Sequence, residues 1–171
     1  MKKLFPVGVL LVFLFSCSED KPRVLIFSKT KEYRHESITA GKVALLKMGA
    51  EKGFAVDTTE SADVFTEENL KKYNAVVFLS TTGDVLNQAQ QNEFMRFIQA
   101  GGGYLGIHAA ADTEYDWWWY GKLVGAYFLS HPEQQEAKFV KVAPFGDGLN
   151  LPDEWMRKDE LYNYKKINPE I

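Results

Sequence analysis

Short, continuous apolar runs recur along the chain. The runs 24–27 and 75–79 contain no alternation of polar and apolar residues. Runs of this kind are typical of parallel strands that are covered on both faces. Residues 54–57 and 104–107 are predicted as further short strands.

Helical segments separate the predicted strands. Ser37 is predicted to cap a helix over residues 38–52, and Gly53 is predicted to end it. Thr66 precedes two glutamates, whose negative charges favour the first turn of a brief helix. A second long helix is predicted over residues 87–100.

The predicted elements follow the order β-α-β-α-β-α-β. This order is typical of a doubly wound α/β fold, in which a mostly parallel sheet carries helices on both faces. Two later strands are predicted, over residues 137–142 and 159–164. Since no internal repeat or second domain is visible, residues 23–171 are predicted to form one domain.

The N-terminus has the pattern of an export signal. Two lysines precede an apolar stretch that is shorter than the roughly 20 residues needed to span a bilayer. This predicts a secretory signal peptide over residues 1–16. The segment Ser16-Cys17 resembles the bacterial lipobox, so we expect lipidation of Cys17, with residues 17–22 as a tether. The protein would then be anchored in the bacterial envelope, in the periplasm or on the outer-membrane surface; ordinary secretion with an incidental cysteine is the alternative.

Charge and cysteine content narrow the possible functions. Removal of the signal peptide takes away Lys2 and Lys3 and leaves 18 basic against 23 acidic residues, a net charge of −5. The sequence has no basic stripe, so nucleic acid is not an expected partner. Cys17 is the only cysteine, which excludes an intrachain disulfide and a cysteine nucleophile elsewhere in the chain.

Polar segments follow three of the predicted strands. In open α/β sheets, ligands bind beyond the carboxyl ends of the strands. His35 follows the first strand, the segment Thr82-Gly83-Asp84 follows the third, and His108 ends the fourth. A lone loop histidine is usually just solvated, but two at one edge of a sheet favour a functional site. We expect the strands that precede His35 and His108 to be neighbours in the sheet.

Two glycine-containing motifs surround the fourth strand. Residues 101–106 fit G-x-G-x-x-G, but they close a helix and enter a strand, the reverse of a dinucleotide-binding turn. Residues 106–110 have the outline of a nucleophile elbow, a sharp turn flanked by small residues. His108 stands where a hydrolase would carry serine or cysteine.

An aromatic and acidic segment covers residues 112–120. Sugar rings stack on aromatic faces, and carboxylates accept hydrogen bonds from hydroxyl groups. We expect residues 117–119 to form one wall of a sugar-binding cleft, with at least one indole exposed to it. The alternative is that some of these tryptophans belong to the core.

Several motifs, taken in order, resemble the ThuA-like (trehalose-utilisation) family. The resemblance runs from about Arg23 to the C-terminus and implies a fold similar to class I glutamine amidotransferases and to flavodoxin. It also implies a link to disaccharide or 3-keto-sugar catabolism. Family domains usually continue past the Asp-Glu-x-Tyr segment, so we expect this domain to be truncated at its C-terminus. The motifs are Phe27-Ser28-Lys29-Thr30, Tyr33–Ile38, Gly101–Gly103, Gly106–Ala110, Leu123–Ala126, His131-Pro132 and Asp159–Tyr162.

The residues and the resemblance together define the predicted site. The resemblance adds His131 and the segment 159–162 to the two histidines at the sheet edge. The predicted catalytic residues are His35, His108, His131, Asp159 and Glu160, and the predicted substrate-binding residues are Thr82, Gly83, Asp84, Asp112, Tyr115, Trp117 and Tyr162.

Three functional hypotheses follow. The first is an envelope enzyme that acts on a disaccharide or keto-sugar by proton transfer between histidines and carboxylates, without glutaminase activity. Hydrolysis, elimination and isomerisation all remain open. The second is a non-catalytic lipoprotein that binds a small-molecule sugar, and the third is a metal-dependent hydrolase or isomerase. In the third, His35, His108 and His131 would hold a divalent metal, with Asp159 and Glu160 as further ligands, although their spacing matches no compact metal motif.

Overall fold

The computed structural model describes residues 21–142 and 151–169. The predicted signal peptide and Cys17 lie outside these residues, so lipidation stays a prediction. Within the described ranges, no helix is both long and apolar enough to cross a bilayer.

The described part of the chain contains four α-helices and eight strands, together with short 3₁₀ turns. The strands are β1 (Arg23–Phe27), β2 (Ala55–Thr59), β3 (Ala75–Leu79), β4 (Gly103–Ile107), β5 (Tyr127–Ser130), β6 (Gln135–Val140), β7 (Glu154–Asp159) and β8 (Asn163–Lys165), and the helices are α1 (Ser37–Lys52), α2 (Glu67–Leu70), α3 (Gln88–Gln99) and α4 (Trp118–Val124).

A parallel sheet forms the centre of the fold. Its four strands are ordered β2-β1-β3-β4, and all three pairings are parallel. Val77 of β3, for example, lies opposite Ile26 of β1 and Leu105 of β4. The order confirms the predicted α/β fold, in which the chain moves outward from β1 in both directions.

Helices cover both faces of this sheet. Consecutive strand residues point to opposite faces, so each strand contributes side chains to two separate hydrophobic clusters. Phe78 faces a large aromatic core and stacks on Phe94 of α3, with ring centroids 5.2 Å apart. Val77 faces the other side, where Ile26 and Leu45 of α1 complete a smaller cluster. The continuous apolar runs of β1 and β3 therefore reflect burial on both faces.

Most helix ends agree with the sequence, with one exception. Gly53 ends α1 in the left-handed conformation, with φ of 82°, and the Thr66 side chain caps α2. The predicted Ser37 cap is wrong: Ser37 is the first helical residue, and Glu36 occupies the cap position without a capping side-chain hydrogen bond. Asn87 and Gln90 form a capping box at the start of α3.

The C-terminal part differs more from the prediction. The strand expected over 159–164 is two strands, because β7 ends at Asp159 and β8 begins at Asn163. The strand expected over 137–142 is β6, which begins and ends two residues earlier. Strands β6 and β7 pair with each other in an antiparallel sheet of their own, here called the β6–β7 ribbon.

Candidate functional site

A cleft of about 780 Å³ opens at the carboxyl edge of the parallel sheet. Its walls come from the β1–α1 loop, the start of α1, the ends of β3 and β4, and the base of the β6–β7 ribbon. The polar residues that line it are Tyr33, His35, Glu36, Ser37, Ser80, His108, Gln134, Arg157, Asp159 and Glu160.

The structure brings His35 and His108 together in this cleft. His108 Nε2 lies 3.3 Å from His35 Nδ1, and the ring centroids are 4.4 Å apart. We expected the preceding strands, β1 and β4, to be neighbours, but this was wrong because β3 lies between them. The loop after β1 crosses the end of β3 to reach His108.

Two residues at adjacent strand ends have an unusual backbone conformation. His108 has φ of 54° and Ser80 has φ of 48°, both in the left-handed region that non-glycine residues rarely adopt. Both line the cleft. The left-handed turn gives His108 the sharp exit from β4 that the sequence predicted, and strained residues of this kind concentrate at functional sites.

Glu160 and Tyr162 approach the same nitrogen of His108. Glu160 Oε2 lies 3.4 Å from His108 Nε2, and the Tyr162 hydroxyl lies 3.1 Å from it. Both residues belong to the loop between β7 and β8. The sequence predicted one continuous extended strand over residues 159–164 at this position. We refer to His35, His108, Glu160 and Tyr162 as the His108 cluster.

The surroundings change the acidity of two groups in the His108 cluster. Burial lowers the pKa of the His35 imidazole, and the neighbouring His108 lowers it further, while the charge of Glu160 opposes both effects. Burial raises the pKa of the Tyr162 phenol, and the negative charges of Glu160 and Asp112 add to that increase. Both shifts favour the neutral form of the side chain.

The other predicted catalytic residues lie at the margin of the cluster. The His131 ring stacks on Tyr162 with centroids 5.6 Å apart, and its Nδ1 lies 2.7 Å from the carbonyl oxygen of Pro132. Asp159 lines the cleft and forms an ion pair with Arg157 at 3.0 Å. His131 therefore reaches the other histidines through Tyr162.

Among residues that could hold a metal, the structure groups His35, His108 and Glu160. Each offers one ligand atom, and these atoms lie within 4.8 Å of one another. The sequence had suggested His131 as the third histidine ligand, but in the structure Glu160 joins the pair.

The segment after β3, predicted to bind substrate, acts as a scaffold. The buried Thr82 hydroxyl donates to the carbonyl oxygen of Tyr33, which holds the loop that carries His35. The N–H of Gly83 donates to the carbonyl oxygen of Asp112 at 2.8 Å. Asp84 is exposed and does not line the cleft.

Asp112 and Tyr115 form a hydrogen-bonded pair next to the cluster. The Tyr115 hydroxyl donates to the Asp112 carboxylate and also lies 3.0 Å from the carbonyl oxygen of Phe128. The charge of Asp112 reaches His35 and acts to raise its pKa. Asp112 therefore influences the site without lining the cleft.

The three tryptophans do not form the expected wall. Trp117 and Trp119 stack on each other, with centroids 5.0 Å apart, and pack against the aromatic core. Trp118 is 69% exposed, but it borders a different cavity, beside Lys122. Trp117 is the cap residue before α4, and Trp118 and Trp119 are the first two residues of the helix, so the three side chains point in different directions and the core takes two of the indoles.

The sequence profile of the ThuA family, described as trehalose utilisation, matches residues 23–171. The chain belongs to the ThuA family. No curated protein gives a significant match.

Two crystal structures of ThuA-like proteins share the fold. The protein from Bacteroides uniformis has a TM-score of 0.69 and 22% identity, over 95% of this chain and 66% of that one. The protein from Parabacteroides merdae has a TM-score of 0.65 and 21% identity, over 84% and 63%. This ThuA chain therefore spans slightly less than two thirds of each. The resemblance to glutamine amidotransferases stays a prediction.

Several residues of the ThuA site were not singled out from the sequence. Gln134 donates an amide hydrogen to Glu160 Oε1 at 3.3 Å, and Arg157 pairs with Asp159. Arg157 belongs to β7 and Gln134 immediately precedes β6, so both are placed by the β6–β7 ribbon, whose position over the cleft depends on tertiary packing. No local pattern in the sequence could have identified them.

Glu114 is a buried structural residue that the sequence analysis also missed. One of its carboxylate oxygens accepts hydrogen bonds from the N–H groups of Val85 and Leu86, and the other accepts from Gln91. Burial raises the pKa of Glu114, although these donors oppose the shift. The side chain fastens the loop after β3 to the segment that carries Asp112.

Proposed function

We propose that this ThuA protein is an envelope enzyme of carbohydrate catabolism, acting on a disaccharide or keto-sugar by proton transfer at the His108 cluster. The observation that carries the proposal is the convergence of His35, Glu160 and Tyr162 on one nitrogen of His108. The cleft that holds them, about 780 Å³, has the size of a small-molecule site.

The chemical groups of the cluster suit proton transfer to and from a sugar. Imidazole, carboxyl and phenol groups can each accept or release a proton, and they are common general acids and bases. In an isomerisation, elimination or hydrolysis, one group removes a proton while another protonates a carbonyl or departing oxygen. Neighbouring groups of different chemical type, such as an imidazole and a phenol, can divide these roles.

Membership of a family described as trehalose utilisation supports a disaccharide-related substrate. The absence of a thiol from residues 18–171 supports chemistry other than glutamine hydrolysis. The proposed location in the envelope rests on the signal-peptide pattern and on Cys17, whose lipid would be the contact with the membrane. The negative net charge supports a partner other than nucleic acid.

The test is turnover of sugars by the full purified chain. Trehalose, other disaccharides and their 3-keto derivatives are incubated with the protein, and products are followed by NMR. His108→Asn is the diagnostic variant, because asparagine tolerates the left-handed backbone. We expect it to lower turnover by about 10²- to 10⁴-fold with sugar affinity retained.

Glu51→Gln serves as the matched control, since Glu51 is exposed on α1 outside the cleft, and we expect wild-type turnover from it. Equal turnover by wild type and His108→Asn would overturn the proposed site. Sugar binding without turnover by the wild type would instead identify the second candidate, a sugar-binding lipoprotein, for which the exposed Trp118 offers a stacking surface.

A further inference from the structure

We propose that the His108 cluster binds a divalent transition-metal ion, with His35, His108 and Glu160 as the protein ligands and zinc as the metal that fits best. The inference rests on the proposed function because it concerns the same cleft. Metal binding, however, can be measured without any turnover.

The first argument is that the polar atoms of the cluster cannot all be satisfied by one another. A ring nitrogen of a neutral histidine carries either one hydrogen or one lone pair. His108 Nε2 nevertheless faces His35 Nδ1, Glu160 Oε2 and the Tyr162 hydroxyl. Neither one hydrogen nor one lone pair on this nitrogen can serve all three neighbours, so at least one of the three contacts is not a hydrogen bond.

Glu160 shows this deficit most clearly. Its Oε2 atom is buried, and it has no hydrogen-bond partner within residues 21–142 and 151–169. An ionised oxygen that is removed from water costs free energy unless it is paired or bound to a metal. A cation between Glu160 and the two imidazoles would neutralise this oxygen and accept the nitrogen lone pairs at once.

The second argument is the spacing of the ligand atoms. Zinc bonds to histidine nitrogen and carboxylate oxygen are about 2.0–2.2 Å long, so two ligands at a tetrahedral angle lie about 3.3–3.5 Å apart. The distance from His108 Nε2 to His35 Nδ1 is 3.3 Å, and that to Glu160 Oε2 is 3.4 Å. Octahedral ligands at the same bond lengths would lie about 3 Å apart. The third pair, Glu160 and His35, lies within 4.8 Å, so it would close by up to about 1.3 Å to reach the tetrahedral spacing when the ion binds.

The third argument is the support around the carboxylate. Ligating carboxylates are usually held by a hydrogen bond on their outer side. Glu160 has this arrangement, since its Oε1 accepts from Gln134 while its Oε2 points towards His108. The glutamate is therefore oriented by the ribbon, with the free oxygen directed into the cluster.

Among the described residues, His131 and Asp159 lie outside the group whose ligand atoms come within 4.8 Å of one another. His131 Nδ1 lies against the carbonyl oxygen of Pro132, and Asp159 is paired with Arg157. Two histidines and one glutamate leave an open fourth position, which is the ligand pattern of catalytic zinc sites. A sugar oxygen or a water molecule could bind there and be polarised by the ion. With the ion bound, the two imidazoles and the Glu160 carboxylate would serve as its ligands.

Zinc binding to the full chain tests the inference. The protein is stripped with a chelator, and Zn²⁺ is titrated in competition with a chromophoric chelator; Co²⁺ is added separately to read the geometry from its visible absorption. We expect one Zn²⁺ per chain and the intense visible bands of four-coordinate Co²⁺. The variants His35→Ala, His108→Asn and Glu160→Gln should each weaken zinc binding at least about tenfold, since even the outer residues of metal sites have effects of that size.

His131→Ala is the matched control, because it removes the nearby histidine that is not a ligand, and it should bind zinc as the wild type does. Far-UV circular dichroism verifies folding, and the near-isosteric Glu160→Gln keeps the test informative if a histidine variant unfolds. The inference would be overturned if the wild type did not bind zinc stoichiometrically, or if His131→Ala lost as much zinc affinity as the ligand variants. Sugar turnover by chelator-stripped protein that binds no zinc would contradict the metal site and leave the proposed function intact. Zinc binding without sugar turnover would support the metal site and contradict the proposed function.

Discussion

His108 Nε2 lies 3.3 Å from His35 Nδ1, although the strands that precede these residues are separated by β3. The distance is bridged by the loop after β1, which is tied to the end of β3. The Thr82 hydroxyl donates to the carbonyl oxygen of Tyr33, and the N–H of Lys31 donates to the carbonyl oxygen of Thr82 at 2.8 Å. The histidine pair therefore depends on contacts between the loop after β1 and the segment that follows β3.

Lipidation of Cys17 is the first prediction. The wild-type protein, expressed in a bacterium with lipoprotein processing, should incorporate labelled fatty acid and sediment with membranes. Cys17→Ala should lose the label because the acylated thiol is absent. Equal labelling of both proteins would contradict the predicted anchor.

The absence of glutaminase activity is the second prediction. Glutamine hydrolysis of the amidotransferase kind needs a thiolate, and the elbow position carries His108. Release of ammonia from glutamine should stay at the level of buffer for the full chain. Activity above that level in the purified protein, and also in Cys17→Ala, would refute the prediction.

The third prediction concerns the acid limb of stability. Hydrogen bonds from Arg34 and Lys42 lower the pKa of Glu60 from its ordinary value of 4.5 to about 2. A lowered folded-state pKa means that the ionised side chain stabilises the fold above about pH 4.5 and loses this effect as the pH falls through 2. Because the carboxylate is 44% exposed, solvent screening limits the effect to roughly 0.5–1 kcal/mol.

Urea unfolding of Glu60→Gln at several pH values measures this contribution. The variant should be less stable than wild type at pH 7, and the difference should shrink towards pH 2. Glu51→Gln is the control, because its only described ion pair, with Lys47 at 3.7 Å, is highly exposed. A difference for Glu60→Gln that does not vary with pH would contradict the assignment.

Glu114 provides the fourth prediction. Glu114→Ala should lower the free energy of unfolding by about 3 kcal/mol, because the buried N–H groups of Val85 and Leu86 lose their acceptor. Denaturant unfolding at pH 7 measures the loss. Glu51→Ala, an exposed counterpart, should change stability by less than about 0.5 kcal/mol. Similar values for the two variants would show that the buried carboxylate does not fasten the loops.

The backbone of His108 gives the fifth prediction. At φ of 54°, glycine is free of the steric cost that other residues incur, so His108→Gly should be about 1 kcal/mol more stable than His108→Ala. At the next position, which follows the left-handed turn, the order should reverse, and Ala109→Gly should be destabilising. Thermal or urea unfolding measures the stability of the three variants. If His108→Ala were more stable than His108→Gly, the left-handed backbone assignment would be contradicted.

Local sequence signals predicted the sheet and its helices well. The runs of β1 and β3 and the end of α1 at Gly53 depend on nearby residues, and the structure agrees with them. The Ser37 cap failed because Glu36 already adopts a helical backbone conformation, which leaves Ser37 inside the first turn.

The candidate site was harder to predict from the sequence than the sheet and its helices. The edge rule brought His35 and His108 to one side of the sheet, but the strand order that separates β1 from β4 is a tertiary property. Trp117 was assigned to a ligand surface because composition alone cannot tell a stacking platform from a core aromatic. The roles of Gln134 and Arg157 depend on how the ribbon packs, over a sequence separation too long for any pattern.

The β6–β7 ribbon and the residue before it supply Gln134, Arg157 and Asp159 to a cleft whose histidines follow strands of the parallel sheet. The two histidines and the ribbon residues that line the cleft are thus encoded in separate stretches of the gene, while Glu160 follows β7 directly. Such a division lets mutation or recombination replace the ribbon while the sheet keeps folding around its own core. Under the proposed function, exchange of this segment would change which substrates the cleft accepts, and grafting ribbons between relatives is a direct route to redesign.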